Sequence, residues 1–304
     1  MNKVIIAGGS GFLGNALTEH FLKNNYEVII LSRSRESNSS FLKEVLWDGV
    51  NIGEWTEHLE NSDLLINLCG KSVDCRYNKR NKTEIFTSRI NSTNAIGKAI
   101  QRLKNPPPLW INASSATIYP HSEKDCKTED DEIGTGFSVE VCKAWEKSFF
   151  QFETKNTRKV AIRASMVFGK GGSVYKTLRN LSLKGLGGTQ GSGRQFVSWI
   201  HIEDFINIID FISANDDLKG CVNVCSPNPK TNKEFNEVLR QSLGVKFHFP
   251  IKKWMIHLGA FFLKTEPELV LKSRRVVPKK LLDSGYDFKF PELNIAFDNL
   301  SSRK

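Results

Sequence analysis

Residues 4–14 read Val4-Ile5-Ile6-Ala7-Gly8-Gly9-Ser10-Gly11-Phe12-Leu13-Gly14, and the fold turns on this stretch. Val4–Ala7 is a short, largely β-branched run suited to a buried strand. Beyond the glycines, Leu13, Ala16, Leu17, His20 and Phe21 recur near helical spacing as far as about Lys23. The unit is strand, glycine turn, helix. Gly8 permits the tight turn, Gly11 lets the backbone approach a pyrophosphate, and Gly14 lets the helix pack close to the sheet; the first N–H groups of the helix then face the anion. Glycine spacing alone is a modest signal, because glycines also end helices. With a strand before it and a helix after it, the run Gly8, Gly9, Ser10, Gly11, Phe12, Leu13 and Gly14 points to a dinucleotide.

Outward from this unit, Glu27–Ser32, Leu64–Leu68, Leu109–Ser114 and Val160–Arg163 read as further strands, with helical patterns around 83–103 and 138–154. Strands alternating with helices imply parallel βαβ units, whose right-handed crossovers put helices on both faces of an open, doubly wound α/β sheet. The ligand of such a sheet sits at the carboxyl ends of its strands. After Phe168 the rhythm breaks into a glycine-rich stretch (Gly185, Gly187, Gly188, Gly191, Gly193), then Trp199-Ile200-His201 and a helix over about Glu203–Ser213. Residues from about 170 onward are expected to close over the carboxyl ends of the strands as a second lobe. The tail from Asn232 contains a helical pattern, a strand-like Val245–Phe249, a helix over Trp254–Leu263 and a basic Lys272–Lys280 run that reads as a solvated face. The expected organisation is a dinucleotide-binding domain over 1–230 and a smaller C-terminal α+β domain over 231–304.

The second strand ends Leu31-Ser32-Arg33-Ser34. An NAD-preferring fold usually carries Asp or Glu here, to accept hydrogen bonds from the ribose diol. Arg33 instead offers a planar, permanently charged donor fork suited to a 2′-phosphate, with the Ser32 hydroxyl beside it, so NADP(H) is the expected cofactor.

The chain of 304 residues has 43 Lys+Arg against 33 Asp+Glu, a net charge of +10 that favours anionic partners; nucleotide phosphates suffice. Its basic residues are scattered rather than clustered with aromatics, which argues against nucleic acid. No apolar stretch approaches the ~20 residues that span a bilayer. The start, MNKVIIAGGSGF, lacks the features of a signal peptide, so a cytoplasmic location is expected. Six cysteines without paired CxxC spacing or accompanying His ligands read as reduced thiols, with no metal site.

GGSGFLG, LSRS, INLCG, TSRINST, SSATIY and GSGRQFVSWIHIED together resemble the extended branch of the short-chain dehydrogenase/reductases. More narrowly, the sequence is similar to an atypical group known as the nucleoside-diphosphate-sugar epimerase family, some of whose members are called cell-division inhibitor-like. The resemblance covers nearly the whole chain. Glu266–Leu271, Val276-Val277-Pro278 and Gly285–Pro291 resemble that group's small C-terminal domain of unknown function. It implies a Rossmann-type fold and makes Ser32, Arg33, Leu68, Cys69, Gly70, Glu84, Arg89, Ser114 and Val167 cofactor contacts, although Glu84 reads equally well as a solvated helix-face carboxylate.

Ordinary members carry a Ser or Thr after the fifth strand, matched here by Ser115, and a Tyr-x-x-x-Lys on the next helix, whose Tyr moves the proton. Counting back from Glu146 puts Ser138 at the Tyr position and Cys142 at the Lys position, so both residues are replaced. Arg89 likewise replaces the family's helix Asn. Ser115 and Cys142 are left as the catalytic candidates. Arg76 in the loop beyond the Leu64–Leu68 strand, with Gln195 and Trp199, is the candidate pocket for a small anionic substrate. No GxSxG elbow surrounds Ser115, which argues against a hydrolase triad with His201 and Asp204; the resemblance implies that these two are structural, in a stretch that marks a sheet connection near the substrate lobe. The first reading is an NADP(H)-binding oxidoreductase, monomeric or homodimeric. A sugar-nucleotide epimerase or dehydratase and a catalytically silent, cell-division-related regulator are the alternatives.

Overall fold

A computed structural model describes residues 2–33, 37–38, 41–256 and 266–302. Its centre is an open sheet in the order β11-β7-β6-β5-β1-β2-β4-β3. The strands are β1 (Lys3–Ala7), β2 (Glu27–Ser32), β3 (Ser37–Asn38), β4 (Leu42–Leu46), β5 (Leu64–Asn67), β6 (Leu109–Ser115), β7 (Arg158–Ala164) and β11 (Gly220–Val224). All pair in parallel except β3, which runs antiparallel to β4 at the edge. Ile5 stands between Ile29 of β2 and Leu65 of β5. From β1 the chain steps outward one way to β2 and β4, then returns to build β5, β6, β7 and β11 on the other side. The crevice beyond the β1 and β5 ends is therefore the switch point at which such sheets bind ligands.

Successive strand residues point to opposite faces, and each face has its own core. Val4, Ile6, Val28 and Ile30 pack with Leu17 and Phe21 of α1 (Phe12–Lys23) and with Ile208 and Ile212 of α5 (Ile202–Ala214). Ile5, Ile29, Leu31 and Leu65 pack with Ala95, Ile96 and Ala99 of α2 (Lys79–Ile100) and with Phe149 of α3 (Phe137–Phe150). Because both faces are covered, β1 and β2 read as continuous apolar runs rather than alternating ones.

The smaller lobe surrounds an aromatic core of Phe168, Tyr175, Trp199, Phe235 and Phe297. It draws on β8 (Met166–Phe168), α4 (Ser173–Leu183), β9 (Phe196–Val197), β10 (Trp199–His201), β12 (Lys230–Thr231), α6 (Asn232–Ser242) and the C-terminal helix Leu293–Ser301. A capping box of Thr231 and Glu234 starts α6.

Two expectations are corrected. Val245–Phe249 is not a strand: Phe247 and Phe249 are exposed, and Phe249 N–H reaches Gly185 O at 2.9 Å with no ladder formed. Lys272–Lys280 is not a solvated face, because Ser273 and Val276 are fully buried and Ser198 Oγ donates to Arg274 O at 2.8 Å. Three strands of the central sheet, β3, β4 and β11, have no counterpart in the sequence reading. Of the Trp254–Leu263 helix, residues 257–263 lie outside the described residues. The segment 266–276 lies against the loops that follow β5 and β6: Glu266 accepts Tyr77 N–H at 2.6 Å, and Arg274 Nε donates to Thr117 O at 3.3 Å.

Candidate functional site

Gly8 has φ +76°, a left-handed conformation natural to glycine, and its N–H donates to Leu31 O at 3.0 Å. That bond ties the turn to the end of β2. A Cβ on Gly14 would stand 2.4 Å from Gly9 Cα, so α1 comes as close to the turn as only glycine allows. A Cβ on Gly11 would meet nothing nearer than Gly8 O at 3.9 Å, so this face of the turn is open. The open side leads into a cleft of about 710 Å³ at the switch point.

Of the sequence candidates, Gly8, Ser10, Gly11, Ser32, Arg33, Leu68, Cys69, Gly70 and Glu84 line this cleft. Gly9 lies over Ile30, Phe12 lies against Gly169 and Gly172, and Leu13 and Val167 pack on the core, so these support the turn from behind. Ser32 Oγ is buried and makes no hydrogen bond among the described residues, while the adjacent Arg33 is exposed. A buried donor without a partner beside a guanidinium at the mouth fits a phosphate-bearing ligand. Glu84 sits at the rim between Lys71 and Arg80, whose hydrogen bonds pull its carboxyl down to about 2.

The cleft wall formed by Trp47-Asp48-Gly49-Val50 was missed in the sequence, because it follows the unrecognised β4. Asp48 is spent locally. Its carboxylate accepts from Val50 N–H and Asn51 N–H, both at 2.8 Å, and from the Asn51 amide at 2.6 Å, which holds its pKa below the usual range.

Around the catalytic candidates, Ser115 Oγ accepts from Thr117 Oγ1 at 3.1 Å, and Thr117 Oγ1 lies 3.4 Å from Cys142 Sγ. Cys142 is buried, and burial raises its pKa, so the thiol stays protonated at neutral pH. Ser114 donates to Glu146 Oε1 at 2.6 Å within a buried network. There Arg163 grips both Glu146 oxygens at 2.9 Å and donates to Tyr119 Oη at 2.8 Å. Arg89 Nη1 donates to Lys71 O at 3.0 Å and to Ile85 O at 2.9 Å.

The substrate candidates do not converge. Arg76 Nε lies 3.8 Å from Glu266. Gln195 and Trp199 are buried in the smaller lobe, where Gln195 Nε2 donates to Gln190 O at 2.8 Å and Trp199 Nε1 to Asn228 O at 3.2 Å. His201 caps α5 by accepting Glu203 N–H at 3.2 Å, and Asp204 accepts Lys289 and Phe290 N–H, both at 2.8 Å; both residues are structural. Among the described residues, no helix is long and apolar enough to cross a membrane, and no group of three His, Cys, Asp or Glu could hold a metal.

Residues 4–225 match the NAD dependent epimerase/dehydratase family, and residues 253–300 match a domain of unknown function, DUF1731. Epimerase family protein YfhF of Bacillus subtilis is 33% identical over 302 residues, covering 98% of this chain and 97% of the relative. The human epimerase family protein SDR39U1, solved with NADPH, superposes with a TM-score of 0.89 at 28% identity, covering 98% of this chain and 99% of that one. A UDP-N-acetylglucosamine 4-epimerase from Bacillus cereus, at 16% identity and a TM-score of 0.75 over 99% of this chain and 98% of its own, shares the fold. A glycine turn at the switch point, a doubly wound sheet and a family match across most of the chain agree: this protein belongs to the NAD dependent epimerase/dehydratase family.

Proposed function

We propose that the chain is an NADPH-dependent oxidoreductase of the cytoplasm, acting on a small anionic substrate. The observation that carries the cofactor reading is the end of β2, where the orphaned Ser32 hydroxyl and the exposed Arg33 stand at the cleft in place of an acid. The human relative crystallised with NADPH supports the same choice. Gly8, Ser10 and Gly11 would hold the pyrophosphate, Ser32 and Arg33 the 2′-phosphate, and Leu68, Cys69 and Gly70 the wall beyond. Bound there, NADPH would supply a hydride. The cysteines are all free, which supports a reducing compartment.

Charge-assisted bonds from Arg33 to a 2′-phosphate are worth ~1.5–3 kcal/mol, roughly 10- to 150-fold in affinity. Calorimetric titration is expected to show that preference for NADPH over NADH in the wild type and to show its loss in Arg33→Ala. Equal wild-type affinities would refute the reading. One observation favours a catalytically silent cofactor-binding protein instead: Ser138 and the protonated, buried Cys142 stand where the family's Tyr and Lys would be. Hydride transfer from bound NADPH to any carbonyl substrate excludes that alternative.

A further inference from the structure

Ser138, Cys142 and Trp145 share one face of α3, and groups from four other parts of the chain close on it. The Tyr77 ring meets Phe137 edge-on at 4.9 Å, and its hydroxyl is buried beside Ser138 without a hydrogen bond of regular geometry. Thr117 Oγ1 lies 3.4 Å from Cys142 Sγ. Arg89, from α2, lays its guanidinium 5.0 Å over the Trp145 ring. From the C-terminal segment comes Arg274, its side chain only 11% exposed, held by Thr117 O. Two guanidiniums from distant parts of the chain thus both lie within electrostatic reach of the Cys142 thiol and the Tyr77 phenol.

Their charge is not matched. Arg89 donates to two main-chain carbonyls, and among the described residues no carboxylate pairs with it. Arg274 has Glu268 at 3.7 Å, but Lys272 shares the same Glu268 oxygen at 3.3 Å. Burial works against the charge on both guanidiniums. An enclosed cation without full counter-charge is costly, and an anionic ligand would relieve it. The place also adjoins the cleft: Gly70 lines that cleft, and a Cβ on Gly70 would stand 3.0 Å from Arg89 Cζ.

We propose that Arg89 and Arg274 together hold a carboxylate of the substrate over the Ser138–Cys142–Trp145 face of α3. The assignment rests on the reading of the adjoining cleft as the cofactor site. Each guanidinium spends donors on main-chain carbonyls and keeps others for a ligand, which suits the two oxygens of a carboxylate. A phosphate would bring further oxygens that need donors of their own. The phenol of Tyr77 and the hydroxyl of Thr117 are the uncharged donors beside it.

The test is calorimetry with oxalate, its neutral diamide oxamide and inorganic phosphate, each with and without NADPH. Oxalate is expected to bind the wild type and to weaken about tenfold or more in Arg274→Gln, with NADPH affinity held within about threefold. Arg274→Lys, which keeps the charge but loses the planar fork, is expected to fall between and serves if the Gln variant does not fold. Equal oxalate affinity in wild type and both variants would overturn the assignment. So would oxamide binding as well as oxalate does, or phosphate binding more tightly than oxalate. Failure of NADPH to bind while oxalate keeps its dependence on Arg274 would sink the cofactor reading and leave the anion site standing.

Discussion

His201 ends β10 and caps α5, so one side chain serves two elements. Its ring lies 3.9 Å from that of Phe290, and burial drives its pKa down from 6.5 to about 4. The folded protein therefore holds it neutral where the unfolded chain would take up a proton. A depressed folded-state pKa gives stability that is fully present above pH 6.5 and is lost as pH falls toward 4. Between pH 7.5 and pH 4.5 this one group should remove roughly 2–3 kcal/mol. Urea unfolding across that range is expected to show the loss in the wild type and a correspondingly smaller one in His201→Asn, which keeps a capping acceptor and cannot titrate. Parallel slopes for the two proteins would show that His201 does not carry the effect. At the same scale, the sequence placed Cys142 on a helix but gave no sign that Thr117 Oγ1 would lie 3.4 Å from its Sγ.

The turn between β1 and α1 makes two glycine demands of different kinds. At Gly14 an added Cβ would meet Gly9 Cα and O at 2.4 Å, main-chain atoms that cannot swing aside, so α1 must lift from the turn. Gly14→Ala is expected to lower the denaturation free energy by about 1–3 kcal/mol and to weaken NADPH binding with it. At Gly11 the same methyl meets only open space on the cleft side. Gly11→Ala is therefore expected to keep stability within about 1 kcal/mol while NADPH binding falls at least tenfold. Denaturant titration and calorimetry on both variants separate the two roles; identical behaviour would show that the distinction is unreal. This element was readable because strand, turn and helix are contiguous. The strand β4, by contrast, reads Leu42-Lys43-Glu44-Val45-Leu46, interrupted by two charged residues and at most partly buried, so it lacks the apolar run of its neighbours.

Across the whole molecule, Asp204 ties the last quarter of the chain to the first turn of α5. Its carboxylate accepts from the N–H groups of Lys289 and Phe290 and from the Tyr286 hydroxyl at 3.3 Å. Burial raises its pKa in spite of those bonds. Asp204→Ala would leave two main-chain donors without partners, a cost of about 2–5 kcal/mol. The expected result is earlier tryptic cleavage at Lys279, Lys280 or Lys289, seen by mass spectrometry of limited digests. An unchanged digestion pattern would mean that the segment is held by packing alone, through Leu281, Tyr286 and Phe288 on the main core.

Read alone, the sequence determined what depends on neighbours in the chain. The glycine turn, the apolar strands on either side of it and the Arg in place of an acid after β2 are local patterns whose geometry follows from backbone sterics and residue chemistry. Tertiary structure decided what depends on partners far away in the chain. Ser273 and Val276 look like members of a basic surface run until Phe196 and Ser198, 77 and 78 positions earlier in sequence, hydrogen-bond to them. Arg89, read from the sequence as a cofactor contact, and Arg274, read as part of a basic run, come to one face of α3 only because α2 and the C-terminal segment carry them there. Burial and charge pairing are sums over the residues that surround a group, and those are chosen by the path of the whole chain.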